Sequence, residues 1–591
     1  MQQWFEIQKG ADFGAIGRRY GINPVTARII RNREVTEDED IRRFLFGTVE
    51  DLYDPMLMKD MDLLTDLLCV KITEQAKIRV IGDYDIDGVM SSYIFVTALK
   101  RCGADVSVQI PDRMKDGYGL NRHLIGQAKA DGIDTILTCD NGIAAIDEIA
   151  YAEELGMTVL VTDHHEIPYV EEDGVRVYRK VCADAVVNPH QKDCTYPYKN
   201  LCGAGVAWKV VCVLYRKLGI PQEETLDFLE NAAFATVGDV MDLTDENRIL
   251  VKEGLKRIHN TKNTGMRALI SQCGLKPEEI SAYHFGFVLG PCINASGRLE
   301  TAKLALSLLL EQDEKEAEQI ARELVDLNER RKEMTASGVE EAKQLYEEYG
   351  YEKDRVLVLY LPDVHESIAG IIAGRIRECY YRPVFVLTDA EDGVKGSGRS
   401  IENYSMYEQM CRCQELFTKF GGHPMAAGLS LPKENVELFR QRINELCTLS
   451  DKELIPKIRI DVPMPMDYVS MELVREFALL EPFGKGNAKP VFADRGIRMK
   501  RLYSVGKMRR IWKMTLVTAG GNEVSGIYFG DPEEFLSDLT EGFGSQAVED
   551  ALRGADNPIL LSVIYYPRIN TYRMEESLQF EIQYYRISGR Q

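Results

Sequence analysis

The sequence predicts an α/β protein: a parallel-sheet lobe, a smaller α/β lobe joined to it by a long helix, and a C-terminal β-barrel of the OB type. Three observations predict this. From 78 to about 165, short apolar runs alternate with single helical stretches, the signature of βαβ units and a parallel sheet. From 311 to 349, Ile320, Leu324, Leu327, Met334, Ala342 and Leu345 recur near helical spacing among many Glu and Lys. Beyond about 455 the chain turns to short apolar–polar alternations between turns, which suits about five strands of a small barrel.

The chain has 591 residues, more than one core can organise. We divide it into an N-terminal cap (1–70), a catalytic lobe (71–310), the linking helix (311–349), a substrate-binding lobe (350–450) and the β-rich domain (451–591). Apolar content of 45% and charged content of 28% are ordinary for a soluble protein. The longest apolar run, near 304–310, is too short to span a bilayer. The opening MQQWFEIQKGADF lacks the basic and apolar regions of a secretory signal. Thirteen cysteines without a CxxC pair read as reduced thiols of a cytoplasmic protein, neither disulfides nor a zinc site. A net charge of −21 argues against a protein that coats duplex DNA electrostatically, but allows a local basic groove.

In order along the chain, the sequence around Asn23-Pro24 starts a short helix, and Asp51 to Pro55 is a turn. Strands are expected at 78–83, 106–110, 135–139 and 157–161, with helices near 88–101, 121–130 and 144–155. Residues 201–300 read as largely helical. The stretch 311–349 is expected as one helix; two helices broken near Gly338 is the alternative. A second α/β unit follows, with strands at 355–361 and 383–387 and helices at 367–379 and near 434–447.

Three of the predicted strands in the first lobe end in aspartate: VIGDYDID, TILTCDNG and TVLVTDHHE. In a parallel sheet, ligands sit beyond the carboxyl ends of the strands. If the first strand continues, Asp85 and Asp87 share a face, and crowded carboxylates repel unless a cation lies between them. The competing expectation is an acidic turn capping a helix. The set of strand-end groups is Asp83, Asp85, Asp87, Asp140, Asp163, His164, His165 and, farther on, Asp239. Mixed carboxylate and imidazole donors favour Mn²⁺ or Mg²⁺ over zinc. Several aspartates could hold two ions, which suits phosphoryl hydrolysis.

The second lobe contributes GSGRS (396–400) and FGGHPMAAG (420–428), where Arg399 and His423 add donors to glycines that permit close backbone approach. Two tight turns would look the same. In the β-rich tail, Arg498, Lys500, Arg501, Lys507, Arg509, Arg510 and Lys513 interleave with Tyr503 and Trp512, the combination that single-strand binding uses. A solvated hairpin face is the plainer account.

DYDIDG (83–88), CDNG (139–142), TDHHE (162–166) and VGDV (237–240) resemble the four acidic motifs of the DHH phosphoesterase superfamily. GPCINASGRL (290–299) resembles a further segment of that superfamily, and the glycine-rich motifs resemble its associated second domain. With LLEPFGKGNAKPVF (479–492) leading into the β tail, residues 45–590 resemble the RecJ family of bacterial single-strand-specific exonucleases. The resemblance implies a metal-dependent 5′-to-3′ exonuclease on single-stranded DNA, acting in recombination and repair with Mn²⁺ or Mg²⁺, two ions in all. It implies a monomer whose partners include a single-strand-binding protein and a RecQ-type helicase. It makes Asp85, Asp87, Asp140, His164 and Asp239 metal ligands, with Asp140 as the bridge and Asp83 as the nearest candidate for a further position. Asp163 and His165 become catalytic residues that orient ligands or touch the scissile phosphate. Arg298, Arg399, His423, Lys507, Arg509, Arg510 and Trp512 become substrate-binding residues.

Two positions depart from the family pattern: Cys292 stands where GPRINA has arginine, and Ser367 stands where a glycine is usual. The pyrophosphatases of the superfamily resemble HxxxDxD at the first motif, and Ile81 occupies that histidine position. Phosphodiesterases for short oligonucleotides resemble shorter chains or carry membrane segments. A non-catalytic scaffold for DNA or replication proteins would not need to keep so many like charges together.

Overall fold

The computed structural model describes residues 2–113, 115–117, 119–172, 175–391, 393–506, 511–572 and 575–587, and divides the chain into two compact units, 52–456 and 2–51 with 457–591.

In the first unit five parallel strands form a sheet in the order Val106–Gln109, Ile78–Ile81, Thr135–Cys139, Thr158–Thr162 and Ala185–Val187. The apolar runs IRVI, TILTC and TVLVT are almost wholly buried, as strands covered on both faces must be. From Ile78–Ile81 the chain crosses to one side and then returns to the other. The topological switch point therefore lies between Ile78–Ile81 and Thr135–Cys139, where an open α/β sheet forms its ligand crevice. Helix Ile86–Arg101 leaves the first strand at once and packs against Gly203–Leu218 and Leu229–Gly238. The first strand is shorter than expected. It ends at Ile81, so Asp85 is the N-cap of the next helix and Asp87 lies in its first turn. An unexpected hairpin, Tyr169–Glu172 with Val175–Tyr178, follows the strand ending at Thr162.

The linking helix is continuous from Glu314 to Glu348, 35 residues or about 52 Å at 1.5 Å per residue. Gly338 does not break it. A Cβ there would come within 2.5 Å of Ile372 Cδ1, so the glycine serves the close approach of helix Glu366–Tyr380. Beyond it, a five-stranded sheet runs Lys419–His423, Ala426–Leu431, Gly393–Arg399, Val384–Ala390 and Leu357–Tyr360. Only the last pair is parallel.

In the second unit the strands Phe492–Val505, Ile511–Val517, Glu523–Tyr528, Glu575–Ile587 and Leu560–Tyr572 neighbour one another in that order, and the last pairs back to the first. This is a closed five-stranded barrel with the connectivity of an OB-fold, and two helices, Pro532–Phe543 and Ser545–Arg553, span its third and fourth strands. Expected as a segment of its own, 1–70 is instead divided. Helices Pro24–Asn32 and Asp38–Phe46 share a core with the barrel through Ile29, Ile30, Leu45, Phe477 and Phe492. Strand Gln3–Glu6 pairs in parallel with Lys457–Ile460, and the nearly buried Arg33 and Asp461 form an ion pair at 2.5 Å. Helix Met61–Thr73 belongs to the first unit. Among the described residues no helix is long and apolar enough to cross a membrane.

Candidate metal centre

The site begins where the first strand stops. Gly88 lets the new helix turn back onto the strand end, because a Cβ there would lie 2.3–2.6 Å from the backbone of Asp83. Asp85 Oδ1 accepts from the backbone N–H groups of Asp87 and Gly88 at 2.9 and 3.2 Å. The capping role is therefore present, and it aims the loop rather than competing with a metal. Asp87 is fully buried, and its two carboxylate oxygens accept from Gly203 N and Ala204 N at 2.6 and 2.7 Å, at the start of helix Gly203–Leu218. Gly203 is needed there, since a Cβ would stand 2.7 Å from Asp140 Cβ. Asp83 accepts from Gly119 N at 3.3 Å.

Asp140 follows the neighbouring strand in the left-handed region (φ 60°), an uncommon conformation that directs its carboxylate into the crevice. His164 Nε2 lies 3.0 Å from Asp140 Oδ1, 3.4 Å from Asp87 Oδ2 and 3.9 Å from Asp239 Oδ2. Asp239 caps the end of helix Leu229–Gly238, so it reaches the same point from a different element. Asp163 faces inward: one oxygen accepts from His164 N, His165 N and His165 Nδ1, the other from Ile143 N. It holds His165 in place and does not open to the crevice.

Three groups of side chains place ligand atoms within 4.8 Å of one another: Asp140 with His164 and His165, Asp87 with His164 and Asp239, and Asp83 with Asp85 and Asp140. Asp140 and His164 each belong to two groups. Burial, then the charge of Asp85, pushes Asp83 up to about 8. Burial and four neighbouring carboxylates push Asp140 far above the ordinary carboxylate range, and burial raises Asp87. Burial lowers His164, which favours the neutral imidazole that ligation requires. For His165, burial is outweighed by the hydrogen bond and charge of Asp163, which hold it at about 9. The same pairing holds Asp163 low despite its burial. A donor set of crowded, buried carboxylates and neutral imidazole fits divalent cations, which would offset that repulsion.

The basic residues lie on the second-lobe side. Arg298 donates to Ser367 O at 2.8 Å, and burial together with the nearby charges of Arg113, Arg331 and Arg399 pushes it down to about 10. Arg399 Nη1 donates to Gly398 O, and its guanidinium lies against Gly370. Arg399 and His423 both stand opposite Ala426, one on each side of strand Ala426–Leu431. A cleft of about 390 Å³ is lined by Arg113, Ser367, Lys395, Ser397 and Lys419.

Sequence reasoning missed two residues. Arg113 stacks over the Tyr84 ring at 4.9 Å, but it sits in a loop with no periodic signal. Asn294 Oδ1 accepts from Ile86 N at 2.9 Å and fixes the acidic loop; its place inside GPCINASGRL was its one visible sign. The departures now have physical accounts. Cys292 is buried against Cys273 and Asn328 of the linking helix, with Sγ 3.9 Å from the first and 3.5 Å from the second. The Ser367 hydroxyl meets His365 Nδ1 at 2.7 Å at the start of its helix. Trp512 is corrected: it is a core residue of the barrel, 7% exposed, with its indole N–H donated to Pro532 O, and not a platform for bases. It shares the inward phase of its strand with Met514 and Leu516. Lys507, Arg509 and Arg510 lie outside the described residues.

The first lobe matches the DHH family, N-terminal domain, over residues 77–236. The second lobe matches the DHHA1 domain over 353–449, and the barrel matches the RecJ OB domain over 460–584. The single-stranded-DNA-specific exonuclease RecJ of Salmonella typhimurium is 34% identical over 527 residues, 86% of this chain and 89% of that protein. The chain belongs to the RecJ family. RecJ of Escherichia coli is 33% identical over 89% of this chain and 91% of its own length. The Bacillus subtilis RecJ is 37% identical, and the chain spans 62% of that protein's length. The crystal structure of Thermus thermophilus RecJ in complex with Mn²⁺ aligns with a TM-score of 0.79 at 26% identity, covering 99% of this chain and 79% of that one. The same RecJ in complex with Mg²⁺ aligns with a TM-score of 0.75.

Proposed function

We propose that the chain is a metal-dependent 5′-to-3′ exonuclease that hydrolyses phosphodiester bonds of single-stranded DNA. The observation that carries this reading is the convergence of two ligand groups, Asp83 with Asp85 and Asp140, and Asp87 with His164 and Asp239, joined by the 3.0 Å approach of His164 to Asp140. Asp83, Asp85, Asp87, Asp140, His164 and Asp239 would hold two divalent ions, Mn²⁺ or Mg²⁺, with Asp140 shared. Such ions supply Lewis acidity, activating water and stabilising the departing oxygen. Asp163 is a positioning residue. Its carboxylate keeps His165 protonated on Nδ1 and turned toward the crevice, where the imidazole can donate to a phosphate oxygen. Arg298, Arg113, Arg399 and His423 would hold the strand's phosphates from the second-lobe side, as charge-assisted donors do. RecJ relatives named as single-stranded-DNA-specific support the choice of substrate.

The test compares end-labelled single-stranded DNA, single-stranded RNA, duplex and dinucleotides, with Mn²⁺ and with EDTA. The expected result is mononucleotide release from the 5′ end of single-stranded DNA, abolished by EDTA. Equal degradation of duplex, or turnover in EDTA, would overturn the reading.

A further inference from the structure

A second cavity, of about 550 Å³, lies at the far ends of the helices that build the metal centre. Tyr93, Thr97 and Arg101 reach it from the C-terminal half of the helix that begins beside Asp85. Glu230 reaches it from the start of the helix that Asp239 ends, about 13 Å away along the axis. Glu230 is a carboxylate only 5% exposed, and one of its oxygens accepts from Thr261 Oγ1 at 2.5 Å. Arg257 also lines the cavity, and its buried Nε has no hydrogen-bond partner. Tyr93 and Phe228 meet edge to face at 6.5 Å on the wall, and Asn263 Nδ2 donates to the Tyr93 hydroxyl at 2.9 Å. Lys256 and Lys262 also line it, paired with Glu253 at 2.6 Å and Asp227 at 3.3 Å. A carboxylate this buried, with one hydroxyl donor, keeps acceptor capacity that a further donor could fill.

We propose that this cavity is a binding site for a nucleoside monophosphate whose base carries amino and ring N–H donors, guanine above all. Glu230 would accept from the Watson–Crick edge of the base. The Tyr93–Phe228 wall would contact its face, and the Arg257 guanidinium would take the phosphate. The volume suits a ligand of this size. Burial and the charge of Asp227, offset in part by Thr261, Arg257 and Lys262, push Glu230 up to about 7, so the carboxyl is only partly ionised near neutrality. That the ligand is also the product class of the enzyme rests on the reading above; the recognition chemistry does not.

The test is calorimetric titration of the full chain in EDTA with dGMP, dTMP and inorganic phosphate, independently of any nuclease assay. We expect one saturable dGMP site, at least tenfold tighter than dTMP or phosphate. Arg257→Ala should weaken dGMP at least tenfold. Glu230→Gln should erase the preference over dTMP, with both variants checked for unaltered thermal unfolding. Asp140→Ala should leave dGMP binding unchanged. No saturable dGMP binding, binding lost with Asp140→Ala but kept with Arg257→Ala, or phosphate alone binding as tightly as dGMP would each overturn the proposal.

Discussion

Asp140 stands in two of the three ligand groups, so its replacement should disturb both ions at once. Asp140→Asn should lower single-turnover hydrolysis by at least about a hundredfold, as loss of several kcal/mol of charge stabilisation requires. Circular dichroism should be unchanged; retention of normal rates would remove Asp140 from the centre. Asn294 acts at one remove. Without its acceptor, Ile86 N is left unsatisfied at the acidic loop, and metal affinity should fall about 10- to 100-fold. A Mn²⁺ titration of activity would show this as a shifted midpoint with the plateau recovered at saturation. Trp512→Ala should behave as a core truncation, costing about 3–5 kcal/mol in urea unfolding. These residues differ in how far their sequence exposed them. An aspartate at the end of an apolar run advertises a strand end. Trp512 in a basic stretch looked like a surface ring, and only its phase along the strand turns it inward.

At the scale of elements, the centre depends on how closely helix Gly203–Leu218 approaches the strand ends. Gly203→Ala should raise intrinsic helix propensity yet impair metal binding, because its Cβ would press on Asp140. Tight Mn²⁺ binding by that variant would show that the backbone yields there. The elements themselves were largely legible. Apolar runs with period-two or uninterrupted burial marked strands, and the apolar stripe along 314–348 marked the linking helix. The boundary between Ile81 and Ile86 was not legible, since Asp85 satisfies both an extended chain and a helix cap. Nor was Gly338, whose meaning depends on Ile372 of another helix.

For the whole molecule, two compact units predict two separable responses. Saturating Mn²⁺ should stabilise the unit holding the acidic cluster, by about 2.7 kcal/mol at a concentration of 100 times Kd. In calorimetry the corresponding transition should rise with Mn²⁺ while the other stays fixed. Arg33→Ala should do the reverse. It leaves Asp461 buried without its partner, a loss of about 3–5 kcal/mol confined to the barrel unit. If both transitions moved together in either experiment, the units would not unfold independently.

The sequence by itself determined the layers: a parallel sheet with acids at its carboxyl edge, a long connecting helix, a second α/β lobe and a barrel. These follow from periodicity and turn chemistry, which act over a few residues and can be read from neighbours in the chain. Tertiary structure decided the joining of 2–51 to the barrel, the inward turn of Asp163 and of Trp512, and the sharing of Asp140 and His164 between groups. Each depends on distances between segments far apart in sequence, and those distances are set by packing, which no local pattern records.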